Sequence, residues 1–320
     1  MSRIESCSII IRACNEERHI GKLIAGIKHQ KIENRIEIIV VDSGSTDSTV
    51  DIALAMGAKV VKISKDDFTF GKSLNVGCEA ATGQILLIAS AHVYPLYTNW
   101  IHKMIEPFED PLVGLVYGKQ VGNENSKFSE KRIFQKWFPN VSIKDQKNPF
   151  CNNANAAIRK SLWISQKYNE ELTGLEDIEW ATRIQKIGYK LSYQSDAVIV
   201  HIHEETPKKI YNRYKREAIA MKKIIPTAHF TFFNFLSLTL TNIVSDFYFS
   251  LSKKTFFRNF LEILVFRYMQ FWGTYRGFNN KEVLSEELKR RFYYPNSLLN
   301  NYNDSNVKDS LIDYTVLPNQ

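Results

Sequence analysis

Apolar and polar positions change rhythm several times along this chain. Compact aliphatic runs at 7–12, 36–41, 59–63 and 84–89 predict strands. The stretches between them, 16–29, 47–56 and 71–81, predict helices. In the first of these Ile20, Leu23, Ile24 and Ile27 fall on one helical face. Gly57 stands where a helix C-cap is expected. Strands separated by helices argue for an α/β fold, a parallel sheet covered on both faces. Further on, 98–108 reads as a helix and 112–121 as a strand. Residues 122–148 are polar, charged and irregular, which predicts a mobile loop over a site. The sheet resumes at 153–157, a short helix follows at 161–166, and 176–187 reads as a helix closed by Gly188. Two short strands are expected within 190–203.

From Pro207 the character changes. Lys208, Lys209, Arg213, Lys215, Arg216, Lys222 and Lys223 make a basic helix. Phe230, Phe232, Phe233, Phe235, Phe247, Tyr248 and Phe249 then open an aromatic region, continued by Phe256, Phe257, Phe260, Phe266, Tyr268, Phe271 and Trp272. Asn234, Asn242, Asp246, Arg258, Glu262 and Arg267 interrupt it too often for a membrane-spanning helix. An interfacial helical pair beside basic residues suits a peripheral membrane protein. Packing on the preceding domain, or a homo-oligomer interface, suits the same pattern. The expected layout is a sheet domain over 1–206, a basic and aromatic helical extension over 207–290, and a polar tail over 291–320.

A hydrophobic share of 44% in 320 residues supports one large core plus an extension. The net charge of +8 points to anionic partners. No nucleic-acid-binding module is present, which leaves nucleotide diphosphates and an anionic membrane surface. Cys7, Cys14, Cys78 and Cys151 have no metal-finger spacing and read as reduced thiols of a cytoplasmic protein. No signal peptide and no spanning apolar run are found, so a cytoplasmic protein, peripheral on the inner face of the plasma membrane, is expected.

The densest chemistry lies at 38–49, where a β-branched strand ends in Asp42 and turns through Ser43, Gly44, Ser45, Thr46 and Asp47 into a helix. Ligands of open α/β sheets bind at the carboxyl ends of strands. A carboxylate there can accept hydrogen bonds from a base or ribose, and the hydroxyls and Asp47 can cap the helix. Upstream, Arg12, Ala13, Cys14, Asn15 and Glu16 repeat the pattern of strand, then polar turn. Downstream, Gly71-Lys72-Ser73-Leu74-Asn75 opens a helix before the strand at 84–89.

Together these segments resemble the inverting glycosyltransferases of family 2, with the GT-A fold, over roughly residues 6 to 205. The resemblance places Arg12, Asn15, Glu16, Asp42, Ser43 and Gly44 near the donor nucleoside, and Lys72 and Asn75 toward the diphosphate. It implies an Asp-x-Asp metal motif after the strand ending near Ala89. This chain reads Ser90-Ala91-His92 instead. Some relatives use Asp-x-His, so His92 is the candidate ligand. His201 and His203 share one strand face by alternation and are candidate partners for it. A divalent ion, Mn²⁺ or Mg²⁺, is expected. Imidazoles suit Mn²⁺ or a later transition metal better than Mg²⁺. Metal-independent neutralisation of the diphosphate by Lys72 and arginines stays open.

The resemblance also makes Asp177 the general base, with Glu176 supporting it or binding acceptor hydroxyls. Both fall in a first helical turn, where the dipole keeps a carboxylate ionised. Asn153 and Asn155 line the donor sugar by the same analogy, with Ser90 nearby. The processive Gln/Arg-x-x-Arg-Trp element is absent, and Gln135-Lys136-Trp137 is only an echo of it. The expected activity is transfer of one sugar from a nucleotide-diphosphate donor to a glycan or lipid-linked acceptor, with inversion. Two other classes remain: a sugar-nucleotide-binding scaffold that lost catalysis with the Asp-x-Asp, and a nucleotidyltransferase.

Overall fold

The computed structural model describes residues 4–280 and 310–315. Its strands are β1 (Ser6–Ala13), β2 (Arg35–Asp42), β3 (Lys59–Lys62), β4 (Ile85–Ser90), β5 (Val93–Pro95), β6 (Val113–Val121), β7 (Ile143–Gln146), β8 (Asn155–Arg159) and β9 (Lys190–His201). Helices α1 (Ile20–Lys28), α2 (Thr49–Ala55), α3 (Phe70–Ala80) and α4 (Trp100–Ile105) belong to the first half. Helices α5 (Phe128–Trp137), α6 (Lys160–Ser165), α7 (Glu176–Lys186), α8 (Pro207–Ile224), α9 (Phe232–Ser252) and α10 (Phe256–Phe278) follow.

All nine strands form one mixed sheet in the order β3-β2-β1-β4-β8-β6-β9-β5, with β7 paired to β9. β1 lies inside it and is buried along its whole length. Alternation sends Ile9 and Ile11 into a core with Leu23 and Ile24 of α1, and Ile10 into a second core with Leu74 of α3 and Trp180 of α7. The sheet is thus covered on both faces, as the alternating pattern requires.

Strand direction decides what meets at one edge. β1, β2 and β4 are mutually parallel, with Ala13 beside Asp42 and Arg12 beside Ser90. β8 is antiparallel to β4 and β6, and β9 is parallel to β6. The carboxyl end of β9 therefore opens on the same edge as those of β1, β2 and β4. His201, Ser90, Arg12 and Asp42 all stand there.

Several expectations need correction. Residues 122–148 hold α5 and β7, not a mobile loop. Four buried residues of α5, among them Ile133 and Phe134, pin it to the protein. Residues 190–201 form one strand whose pairing with β6 shifts register between Gly118 and Gln120. Strand β5, three residues long, lies too close to Ser90 to be read separately. The basic helix is not solvated all round, because Arg213 and Arg216 of α8 are buried. Residues 281–290 of the extension, and the tail apart from 310–315, lie outside the described residues.

Helices α8 and α10 pack against each other. Gly273 and Gly277 face α8 so closely that a β-carbon at Gly273 would stand 2.5 Å from the Tyr211 carbonyl oxygen, and one at Gly277 would collide with that of Lys215. Between α5, α9 and α10 lies a buried ionic cluster. Asp246 accepts 2.8 Å bonds from Arg267 and a 2.7 Å bond from the Ser129 hydroxyl. No helix among the described residues is long and apolar enough to cross a membrane.

Candidate active site

The loops after β1 and β2 clasp each other at this edge. Asn15 takes a positive φ of 57°, a conformation that asparagine tolerates. Its N–H donates to Ser45 Oγ at 2.9 Å, and its Oδ1 accepts from the Thr46 N–H at 2.8 Å. The Asp42 carboxylate accepts the N–H groups of Gly44 and Ser45 at 3.1 and 3.2 Å. Gly44 can make this turn because its φ is +86°. Beside the loops opens a cleft of about 990 Å³, lined by Arg12, Asn15, Glu16, Ser43, Phe70, Ser90, His92 and the segment after β9 that includes His203.

Three histidines cluster there, His92 and His203 on the cleft wall and His201 buried behind them. One candidate ligand atom of each of His92, His201 and His203 lies within 4.8 Å of those of the other two. Every Nδ1 is engaged: His92 with Glu16 Oε1 at 2.8 Å, His201 with Gln120 Oε1 at 2.7 Å, His203 with Glu130 Oε1 at 2.7 Å. Donation from Nδ1 to an oxygen selects the tautomer whose lone pair sits on Nε2, as in histidines that bind metals. Burial, with His203, His92 and Arg213 nearby, holds the His201 imidazole well below its ordinary pKa and therefore neutral. This donor set fits a divalent ion. Glu130 also accepts from Arg213 Nη2 at 3.0 Å. Burial alone would raise its pKa, but His203 and Arg213 hold it down at about 2.

The second feature is the pair at the head of α7. Glu176 and Asp177 are both 4% exposed. Glu176 Oε1 accepts from Arg12 Nη1 at 3.2 Å and from Asn153 Nδ2 at 3.3 Å. Asp177 accepts the N–H groups of Asn153 at 3.1 Å and Ile178 at 2.8 Å. Burial, reinforced by the neighbouring Glu176, pushes Asp177 from 3.8 up to about 7, against the opposing pull of those two N–H groups and Arg12. Leu175, just before the helix, has φ +59°, unusual for a bulky residue. Packing with Ile178 and with Ala220 of α8 holds it there. Such strain costs of order 1–3 kcal/mol and concentrates at functional sites.

Not every expected residue reaches the cleft. Asn155 is fully buried, bonded to the Trp100 indole at 2.9 Å and to the Lys119 and Ala197 carbonyls at 3.2 and 2.9 Å. It ties β8 to β6, β9 and α4, so the donor-sugar role is withdrawn. Asn75 bonds to the Tyr168 carbonyl, Glu170 and the Trp163 indole, which makes it a brace of the 160s segment rather than a diphosphate contact. Lys72 pairs with Asp67 at 3.1 Å, outside the cleft lining. Glu16 does line the cleft, and there it pairs with His92 at 2.8 Å. Conversely, Phe70 lies between two guanidiniums, Arg12 and Arg216, each 4.8 Å from its ring centroid. Arg213, Arg216 and Glu217 sit at helical spacing with Ile210 and Ala220, a buried-face signal hidden by the charge run. Glu130 and Gln120 carried no sequence signal.

Sequence similarity reaches the O-antigen chain rhamnosyltransferase RfbN of Salmonella typhimurium, 27% identical over 65% of this chain and 69% of that protein. It also reaches the O-antigen chain rhamnosyltransferase WbaN of Salmonella anatum, 28% identical over 56% of this chain and 60% of that protein. In fold, the chain resembles the mannosyltransferase PcManGT from Pyrobaculum calidifontis, in complex with GDP-Man and Mn²⁺. That match has a TM-score of 0.63 and 16% identity, over 88% of this chain and 89% of the other. Residues 8–172 match the family described as Glycosyl transferase family 2. The chain belongs to that family, with a GT-A-type mixed sheet, and is a glycosyltransferase that moves a sugar from a nucleotide-sugar donor.

Proposed function

We propose that this glycosyltransferase transfers a single hexosyl-type sugar with inversion to a hydroxyl of a glycan or lipid-linked acceptor. The observation that carries the reading is Asp177, a buried carboxyl at a helix head with a pKa near 7, next to an Arg12 that also lines the cleft. A base poised near neutral pH is what deprotonation of a hydroxyl needs. Asp177 takes the proton, the acceptor oxygen attacks the anomeric carbon, and the bond to the nucleoside diphosphate breaks with its electron pair on the phosphate oxygen. Arg12 and Glu176 position the base. The clasped loops bearing Asn15, Asp42, Ser43 and Gly44 receive the nucleoside, and Ser90 and Asn153 stand toward the sugar.

His92, His201 and His203 would hold a divalent ion, which would supply positive charge to the departing diphosphate. The Mn²⁺ bound with GDP-Man in PcManGT supports this reading. The O-antigen rhamnosyltransferases support a polysaccharide or lipid-linked acceptor. The α9–α10 hairpin supports a cytoplasmic enzyme resting on the inner leaflet. Phe257 is 95% exposed, with Lys253, Lys254 and Arg258 exposed beside it, a pairing that fits an anionic lipid surface. In this layout 1–206 carries catalysis and 207–290 meets the membrane, while residues 310–315 of the polar tail lie against the sheet domain, the Ile312 N–H donating to the Leu96 carbonyl at 3.0 Å.

The test is Asp177→Asn assayed for transfer and for nucleotide-diphosphate binding by thermal shift. Lost transfer with retained binding is expected. A fully active variant overturns Asp177 as the base, and nucleotide binding without turnover in the native protein would favour the scaffold.

A further inference from the structure

We infer that the histidine trio is a tris-imidazole site selective for a borderline transition-metal ion of the zinc or cobalt type, and that it rejects Mg²⁺. This rests on the transferase reading above but makes a separate claim about the chain's own donor atoms. Among the described residues, the convergent group contains histidines alone, with no Asp, Glu or Cys. Residues 90–92, Ser-Ala-His, carry no carboxylate. Glu16 and Glu130 each hold an imidazole Nδ1 through their Oε1 atoms.

Mg²⁺ requires oxygen ligands in near-octahedral array and releases its waters reluctantly. Three neutral nitrogens offer it nothing. Affinity of nitrogen sites rises from Mn²⁺ through Co²⁺ and Ni²⁺. Three histidines with one coordination position left to a non-protein ligand is an established zinc arrangement. His201 closes β9 and His203 lies two residues beyond it, and the third ligand is anchored to this segment, because the Ile202 N–H donates to the His92 carbonyl at 3.1 Å. Each ring is oriented by its own outer partner: Glu16, Gln120 or Glu130. Such partners raise the basicity of the ligating nitrogen, and losing one typically costs about 10–100-fold in metal affinity.

The full-length protein, stripped with a chelator, is titrated with Zn²⁺, Co²⁺, Mn²⁺ and Mg²⁺ by calorimetry, and Co²⁺ binding is also followed by visible absorption. One equivalent of Co²⁺ should bind and give a ligand-field band, about 100-fold tighter than Mn²⁺. Mg²⁺ should give no heat. His92→Ala and His203→Ala should each lose the band, and Glu16→Gln should weaken Co²⁺ about tenfold while keeping the wild-type melting temperature without metal. His92, half-buried, is the ligand least needed for folding. Mg²⁺ binding as tight as Co²⁺, no binding of any ion, or variants that bind like the native protein would each overturn the inference. These readouts need no sugar transfer. A nucleotide that raises the melting temperature in chelator, with no cobalt band, would sink the metal claim and leave the transferase standing.

Discussion

Arg12 and Glu176 meet at 3.2 Å from positions 164 residues apart, with both side chains almost fully buried. One closes the first strand and the other opens the seventh helix. The contact ties the nucleotide edge of the sheet to the carboxylate pair.

Removing that guanidinium should act in two ways. Arg12→Met leaves Glu176 buried without its cation, a loss of about 3–5 kcal/mol by the usual cost of breaking a buried pair. Arg12 also lowers the Asp177 pKa, so its removal should raise it further. The acid limb of the kcat–pH profile should move to higher pH in the variant. A profile that stays in place would separate Arg12 from the base.

Asp177 itself has a stability signature. Its folded pKa, about 7, lies above the ordinary 3.8. The folded state therefore holds the proton more tightly than the unfolded chain does. The stabilising contribution is complete below about pH 4 and is lost as pH rises through about 7. Asp177→Asn should melt higher than the native protein at pH 8, and by a smaller margin at pH 5, while transfer is lost at both. Thermal unfolding at the two pH values checks this.

Asn155→Ala should destabilise the fold without touching donor affinity per folded molecule. It leaves buried partners on Trp100, Lys119 and Ala197 unsatisfied, each worth about 1–3 kcal/mol at most. Chemical denaturation beside nucleotide titration separates the two. A weakened nucleotide affinity at full folding would restore it to the site.

Phe257→Asp with Leu261→Asp should abolish co-sedimentation with anionic vesicles and leave the melting temperature nearly unchanged. Both residues are strongly exposed, 95% and 70%, and surface changes usually stay within about 0.5 kcal/mol. Retained vesicle binding, or a dimer that these changes break, would assign the face to another occupant.

The α/β alternation through β4 was legible because each strand is a short buried run and each helix has a clear apolar face. Helix α5 was not, because its buried positions include Ser129 and Glu130, polar residues whose partners come from the segment after β9 and from α8 and α9. His201 and His203 could be placed on one face by strand alternation. The oxygen holding each ring could not, since Gln120 and Glu130 are 81 and 73 residues away. Asn155 looked like a sugar contact because amides suit hydroxyls, and Asn75 like a diphosphate contact because it opens a helix, yet burial turned both into internal braces. Arg213 and Arg216 were hidden in a lysine-rich run, where charge outweighed periodicity.

Glu130 serves His203 on one side and Arg213 on the other. The consequence is for modularity. A cut after residue 206 would take Arg213 from the Glu130 carboxylate and would strip Ile133 of its packing with Ile210, Tyr214 and Phe266. The catalytic sheet therefore cannot be dissected from its helices as a free-standing unit. A chimera that borrows those helices from another transferase must exchange the glutamate and the arginine together, as one transplanted part.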